Sequence, residues 1–221
     1  MTILNDGTEH EIVILSDTNE LHGLLSIPKN AVGLVLFVHG SGSSRFSTRN
    51  QYVAHQLNEA NLGTLLFDLL TPDEDRIDNV TREFRFDIGL LASRLIDVTK
   101  WCQAQSKIQD LNIGYFGAST GGGAALVAAA ALPKVVNAVV SRGGRPDLAA
   151  DSLSRVSAPT LLIVGGEDDV VIRLNESAMS QMHCVRKLEI VPRATHLFEE
   201  PGTLDEVARL AKSWFVNYLN K

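Results

Sequence analysis

The chain has little cysteine, and what it has is scattered. Cys102 and Cys184 stand far apart with no CxxC pair, which speaks against zinc-ligand spacing and a disulfide framework and leaves both as small buried hydrophobes. Positive charge is also short: 20 Lys+Arg against 26 Asp+Glu give a formal charge of -6, whereas a nucleic-acid partner needs a basic surface. Nucleic acid is therefore not expected as a partner. No apolar run approaches the roughly 18 residues that cross a bilayer, and MTILNDGTEHEI lacks a basic segment followed by an apolar one. The expectation is a cytoplasmic protein with no membrane partner. Internal repeats, low-complexity tracts and Pro/Ser-rich linkers are missing too, so residues 1–221 read as a single domain.

What is present is an alternation of strand and helix patterns. EIVILS (11–16) and ELHGLLSIP (20–28) suggest an antiparallel hairpin, and GLVLFVHG (33–40) is a nearly continuous apolar run typical of a strand buried on both faces. Further strands are expected at 64–70, 111–117, 135–143, 158–166 and 186–192. Helical spacing is expected at 48–63, 82–105, 119–133, 173–182 and 203–219. The fold class is α/β: a mostly parallel central sheet with helices on both faces and an N-terminal hairpin. Two connections are short. TPDEDRIDNVTREF (71–84) reads either as a small lid or as a solvated loop, and DLAADSLSRVSA allows a helical turn or two, too little for a large cap.

Three polar groups follow three of these strands. In G-A-S-T-G (117–121) a serine lies where a strand ends and a helix begins, with Gly117, Gly121, Gly122 and Gly123 supplying the small neighbours that a tight turn needs. A serine hydroxyl attacks a carbonyl only with a base in reach and a carboxylate to orient that base. Asp168 follows LLIVGG and His196 follows LEIVPRAT, in the chain order Ser, Asp, His. Asp169 is the fallback acid; Asp168 is preferred for its place two residues past the glycine pair, with Val170 and Val171 after it as a buried anchor. His10, His22, His55 and His183 read as solvated or structural. An oxyanion hole is expected from the backbone N–H of Thr120, at a helix N-terminus, and of Ser41 in HGSGSS (39–44).

LVLFVHGSGSSR, TLLFDLLTP, GYFGASTGG, AVVSRGGRPDLA, PTLLIVGGEDDVV and ATHLFEEPG stand in an order that resembles the α/β-hydrolase superfamily, and more closely its dienelactone hydrolase-related branch. The resemblance implies an α/β-hydrolase fold, an acyl-enzyme route to hydrolysis, no cofactor and no metal, and a triad at Ser119, Asp168 and His196. Dienelactone hydrolases carry cysteine at the nucleophile position; the serine here speaks against dienelactone hydrolysis itself and for an ordinary carboxylic ester, so the expected substrate is a small carboxylic ester or lactone. A non-catalytic ligand-binding protein on the same fold, and acyl transfer or perhydrolysis by the same residues, are the alternatives. Arg45, Arg142 and Arg145 lie on loops of the catalytic edge. They either face an anionic substrate, with Arg45 and Arg142 as substrate contacts, or pair with nearby acids such as Asp147. Oligomeric state has no signature in the sequence.

Overall fold

The computed structural model describes residues 8–220; residues 1–7, most of the MTILNDGTEHEI segment, and residue 221 lie outside that range. Eight strands form one sheet: β1 (Glu9–Ser16), β2 (Asn19–Ser26), β3 (Gly33–Val38), β4 (Leu62–Phe67), β5 (Ile113–Ala118), β6 (Val136–Arg142), β7 (Thr160–Gly165) and β8 (Arg186–Val191). Their spatial order is β1-β2-β4-β3-β5-β6-β7-β8. The β1–β2 hairpin is antiparallel and joins β4 antiparallel, while β4, β3, β5, β6, β7 and β8 run parallel. Every residue of β3, β4, β5 and β7 is buried, which is why these strands read as unbroken apolar runs.

Six α-helices cover the sheet: α1 (Thr48–Asn58), α2 (Pro72–Thr81), α3 (Ile88–Gln103), α4 (Thr120–Ala131), α5 (Asp169–Gln181) and α6 (Thr203–Leu219). A 3-10 segment fills Pro146–Arg155. Leu91, Leu95 and Val98 of α3 pack with the alanines of α4 on one face of the sheet. On the other face, Val53 and Leu57 of α1 meet Val207, Ala211 and Phe215 of α6, spaced four apart so that they share a stripe. Each fully buried Leu or Phe contributes about 1.5–3 kcal/mol. Helix α4 is almost all Gly and Ala because it is buried on nearly every side.

Several bounds shift, with α5 starting at Asp169 and not at 173 and α1 ending at Asn58, and two expected elements differ in kind. The stretch at 82–105 does not start a helix at its first residue: Arg82 is left-handed (φ 62°) and closes α2, and Asp87 caps a new helix by accepting from the Leu90 N–H at 2.9 Å. The segment 71–84 is mostly helix, started by a capping box in which the Thr71 hydroxyl accepts from Glu74 N–H and the Glu74 carboxylate accepts from Thr71 N–H.

The parallel register aligns the carboxyl ends of the strands. Val38 lies beside Gly117, Ala118 beside Arg142, Arg142 beside Ile163, and Gly165 beside Val191. The loops that leave this edge touch main chain to main chain. A methyl group built on Gly121 would lie 2.1 Å from the Val38 carbonyl oxygen, and one on Gly165 would lie 2.3 Å from that of Ala194. Only glycine fits either place.

Candidate active site

Ser119 sits between β5 and α4 at φ 50°, ψ −122°, a conformation that L-residues rarely adopt and that costs of order 1–3 kcal/mol. Main-chain bonds hold it there. Its N–H donates to the Arg142 carbonyl at 3.2 Å, and its own carbonyl accepts from Gly122 and Arg145 N–H at 3.0 Å each. The turn pushes the hydroxyl out of the helix and toward His196, whose Nε2 lies 3.4 Å from Ser119 Oγ. On the far side of the ring, His196 Nδ1 lies 2.6 Å from Asp168 Oδ2. A carboxylate only accepts, so in the neutral imidazole the proton is on Nδ1 and Nε2 is free to take one from serine. Asp168 is the N-cap residue of α5 and Asp169 its exposed first residue. The anchor behind them is one valine: Val171 is buried, but Val170 is 61% exposed because α5 turns it to solvent.

The loop after β3 passes close to the nucleophile. A methyl on Gly40 would lie 3.0 Å from Ser119 Cβ. Ser41 and Thr120, whose backbone N–H groups are the expected oxyanion donors, are tied together by their hydroxyls at 3.1 Å, and the Ser41 hydroxyl donates to the Arg85 carbonyl at 3.3 Å. Buried His39 locks the start of this loop. Its Nε2 accepts from Leu69 N–H at 3.0 Å, so Nδ1 carries the proton donated to the Gly40 carbonyl at 2.9 Å. Burial holds its pKa below the ordinary histidine value, keeping the ring neutral.

Helix α2 and the turn behind it brace that loop, through residues that sequence reasoning passed over. Buried Asp78 accepts from the N–H groups of Phe84 (2.8 Å) and Arg85 (2.9 Å) and from Arg85 Nε (2.6 Å). Burial alone would raise the Asp78 pKa; these bonds outweigh it and hold the carboxyl below its ordinary value. Buried Arg94 forks onto Glu74 at 2.7 and 2.6 Å and donates to the Leu69 carbonyl at 3.0 Å. The Thr71-x-x-Glu74 spacing was the signal available for this helix.

The arginines divide. Arg45 binds the Asp68 carboxylate through its backbone N–H and guanidinium and lines the neighbouring cavity with His39, Asp68 and Asp75, away from the serine. Arg145 forks onto Asp147 at 2.8 and 2.7 Å. For these two, pairing with an acid is what the structure shows, and Arg45 is not among the residues around Ser119. Arg142 differs. It is 6% exposed and lines a cavity of about 200 Å3 together with Ser119, His196, Ser41, Arg49 and Asn50. Its one side-chain hydrogen bond among the described residues goes to Asn50 Oδ1 at 3.3 Å, its Nε is unbonded, and its guanidinium lies 5.8 Å from the Phe198 ring. Burial, then the charge of Arg49, pushes its pKa down to about 10, still charged at neutral pH.

The chain has recognisable relatives. A model of the dienelactone hydrolase family matches residues 51–219. A crystal structure of a dienelactone hydrolase from Anabaena variabilis is 58% identical, covers 97% of this chain and 100% of its own, and superposes with a TM-score of 0.95. Two curated relatives from Mycobacterium tuberculosis strains, each named a putative phosphoribosyl transferase, are 56% identical over 211 residues, or 96% of this chain and 47% of theirs. The chain thus spans about half the length of the curated relatives it matches. The esterase domain of a Rhodothermus marinus protein shares the fold, with a TM-score of 0.73 at 16% identity, covering 96% of this chain and 99% of its own.

Proposed function

This chain belongs to the dienelactone hydrolase family of α/β-hydrolases, and from that premise we propose that it is a serine hydrolase that cleaves a small carboxylic ester or lactone through an acyl-serine intermediate. One observation carries the reading: a strained serine, a histidine and an aspartate, on loops after β5, β8 and β7, form a connected chain at 3.4 and 2.6 Å. His196 Nε2 takes the Ser119 proton as Oγ attacks the carbonyl carbon. The carbonyl oxygen gains negative charge facing the Thr120 and Ser41 N–H groups, where α4 begins and its dipole favours an anion. As the tetrahedral centre collapses, the ester C–O bond breaks and His196 returns the proton to the departing alkoxide. Water, deprotonated by the same imidazole, then releases the acid and restores Ser119.

Asp168 keeps its charge through the cycle and steadies the imidazolium that forms twice. The reading of a single α/β-hydrolase domain without a large cap, expected over residues 1–221, is supported across the described residues 8–220, where the segments 71–87 and 146–155 are short. Among the described residues no helix is long and apolar enough to cross a membrane. A cytoplasmic setting is supported by two free thiols, Cys102 and Cys184, in a chain with no disulfide among its described residues. The transferase name of the M. tuberculosis relatives belongs to proteins about twice this length.

A fluorophosphonate probe tests the reading without a substrate guess. Intact mass should show one adduct on the native chain, mapping to Ser119 on digestion, and none on Ser119→Ala. A folded native chain that stays unlabelled would overturn the assignment and favour a ligand-binding role. Adding a competing alcohol or peroxide to an ester assay separates hydrolysis from acyl transfer.

A further inference from the structure

The cavity beside Ser119 holds more positive charge than the triad uses. Arg142 is buried, keeps its proton at neutral pH, and faces no carboxylate within ion-pair distance among the described residues. A buried cation ordinarily has an anion beside it. Four other guanidiniums at this edge of the sheet have a well-placed one: Arg45 has Asp68, Arg85 has Asp78, Arg94 has Glu74 and Arg145 has Asp147. The Nε of Arg142 and the Nε of Arg49 are both buried and unbonded, and both side chains line the serine's cavity. The carboxylate that Arg49 does meet, Glu199 at 3.2 Å, is 63% exposed and on a single Nη. Arg49 is close enough to Arg142 to disfavour its charge. Two like charges therefore share one small cavity whose lining, among the described residues, includes no carboxylate.

The third wall carries the same sign. Ser47, Arg49 and Asn50, the N-cap and first turn of the 11-residue helix α1, line this cavity, so the positive end of the helix dipole adds to the two guanidiniums. Buried Asn50 accepts from Arg142 Nη2 at 3.3 Å and holds the fork in place. A carboxylate presents two oxygens and one charge, enough for one fork. A phosphate monoester presents three oxygens and up to two charges, which suits donors that arrive from Arg142, Arg49 and α1.

We propose that Arg142, Arg49 and the first turn of α1 form an anion subsite that selects small esters carrying a phosphate group a few atoms from the scissile carbonyl. This rests on the serine-hydrolase reading above and names its substrate class. The phosphate is an anchor and does not react: the acyl C–O bond breaks, water supplies OH to the acyl carbon and H to the leaving oxygen, and the phosphate stays on its fragment. With Ser119 and Arg142 on one cavity of about 200 Å3, the spacer between phosphate and carbonyl must be short.

The test is a matched series on the native chain: 2-acetoxyethanol, 2-acetoxyethyl phosphate, and a carboxylate analogue of the same length. Charge-assisted hydrogen bonds of this kind predict a kcat/KM for the phosphate about 10- to 100-fold above the neutral ester. In Arg142→Gln and Arg49→Gln the ratio should fall toward one, with Arg142→Lys restoring part of it. Equal rates for the neutral and phosphate esters, or a larger gain for the carboxylate, would overturn the proposal. Calorimetry of 2-acetoxyethyl phosphate with Ser119→Ala, alone and combined with Arg49→Gln, gives a readout that needs no turnover. Binding to the first and at least tenfold weaker binding to the second supports the subsite even if Ser119 proves unreactive; no binding to either rejects it. A native chain that labels at Ser119 but ignores phosphate keeps the hydrolase and loses the subsite.

Discussion

The two flanks of the catalytic edge treat buried arginine in opposite ways. On the flank of α2, Arg94 and Arg85 each close on a carboxylate at 2.6 Å, and their bonds hold up the loop that carries Ser41. On the flank of α1, Arg142 is about as buried as Arg94 but is held by one amide oxygen and a ring face. Charge on the first flank is consumed by the fold, while on the second it is left for something that arrives. A buried pair weakens the protein when one member is deleted, because the other is stranded; a buried charge without a partner weakens the protein while it is present.

The largest effect expected lies at the meeting point of the two flanks. Ser119→Ala should lower kcat/KM by on the order of 10^4-fold or more, measured on any ester the native chain turns over, with a thermal midpoint close to the native one. Next comes the α2 flank. Arg94→Met strands Glu74 and frees the Leu69 carbonyl, and denaturant unfolding should show a loss of about 3–5 kcal/mol. Asp78→Asn should cost about 1.5–3 kcal/mol, since three donors lose a charged acceptor. It should also slow turnover through the Arg85 carbonyl that steadies Ser41. The same replacement on the α1 flank has the opposite sign: Arg142→Met should leave stability unchanged or raise it by about 1 kcal/mol. Equal losses for Arg94→Met and Arg142→Met would collapse the comparison.

The most gradual effect is in the pH profile of stability. The His39 pKa is lowered in the fold by burial, so the unfolded chain binds that proton first. Its contribution is complete above the ordinary histidine value and is lost as pH falls below it toward the folded pKa, at up to about 1.4 kcal/mol per pH unit. Denaturant midpoints between pH 7 and pH 5 should fall in the native chain, and fall less in His39→Gln.

Much of the α1 and triad side was legible in the sequence, because strands buried on both faces announce themselves and the chemical groups follow their ends in a fixed order. The α2 helix was harder to read. It has no apolar stripe turned inward: Val80 is 85% exposed and Ile77 42%. A cap and a half-buried ion pair hold it, and the partner, Arg94, lies 20 residues on. Arginine pairing was only half legible for the same reason. Asp147 follows Arg145 by two residues, but Asp68 is 23 away from Arg45, and a missing partner for Arg142 has no sequence signature at all.

Gly121 and Gly165 set what change this centre can accept. Where the serine's helix meets the end of β3, and where the aspartate's strand meets the histidine's loop, backbone abuts backbone, so there is no side chain whose exchange would widen or narrow either gap. Small adjustments to the spacing of the three reacting groups are closed to single substitutions. The cavity wall is side chain, at positions 49, 142 and 197, and remains open to them. On the proposed hydrolase reading, descendants of such a chain can therefore change what they cleave far more readily than how they cleave it.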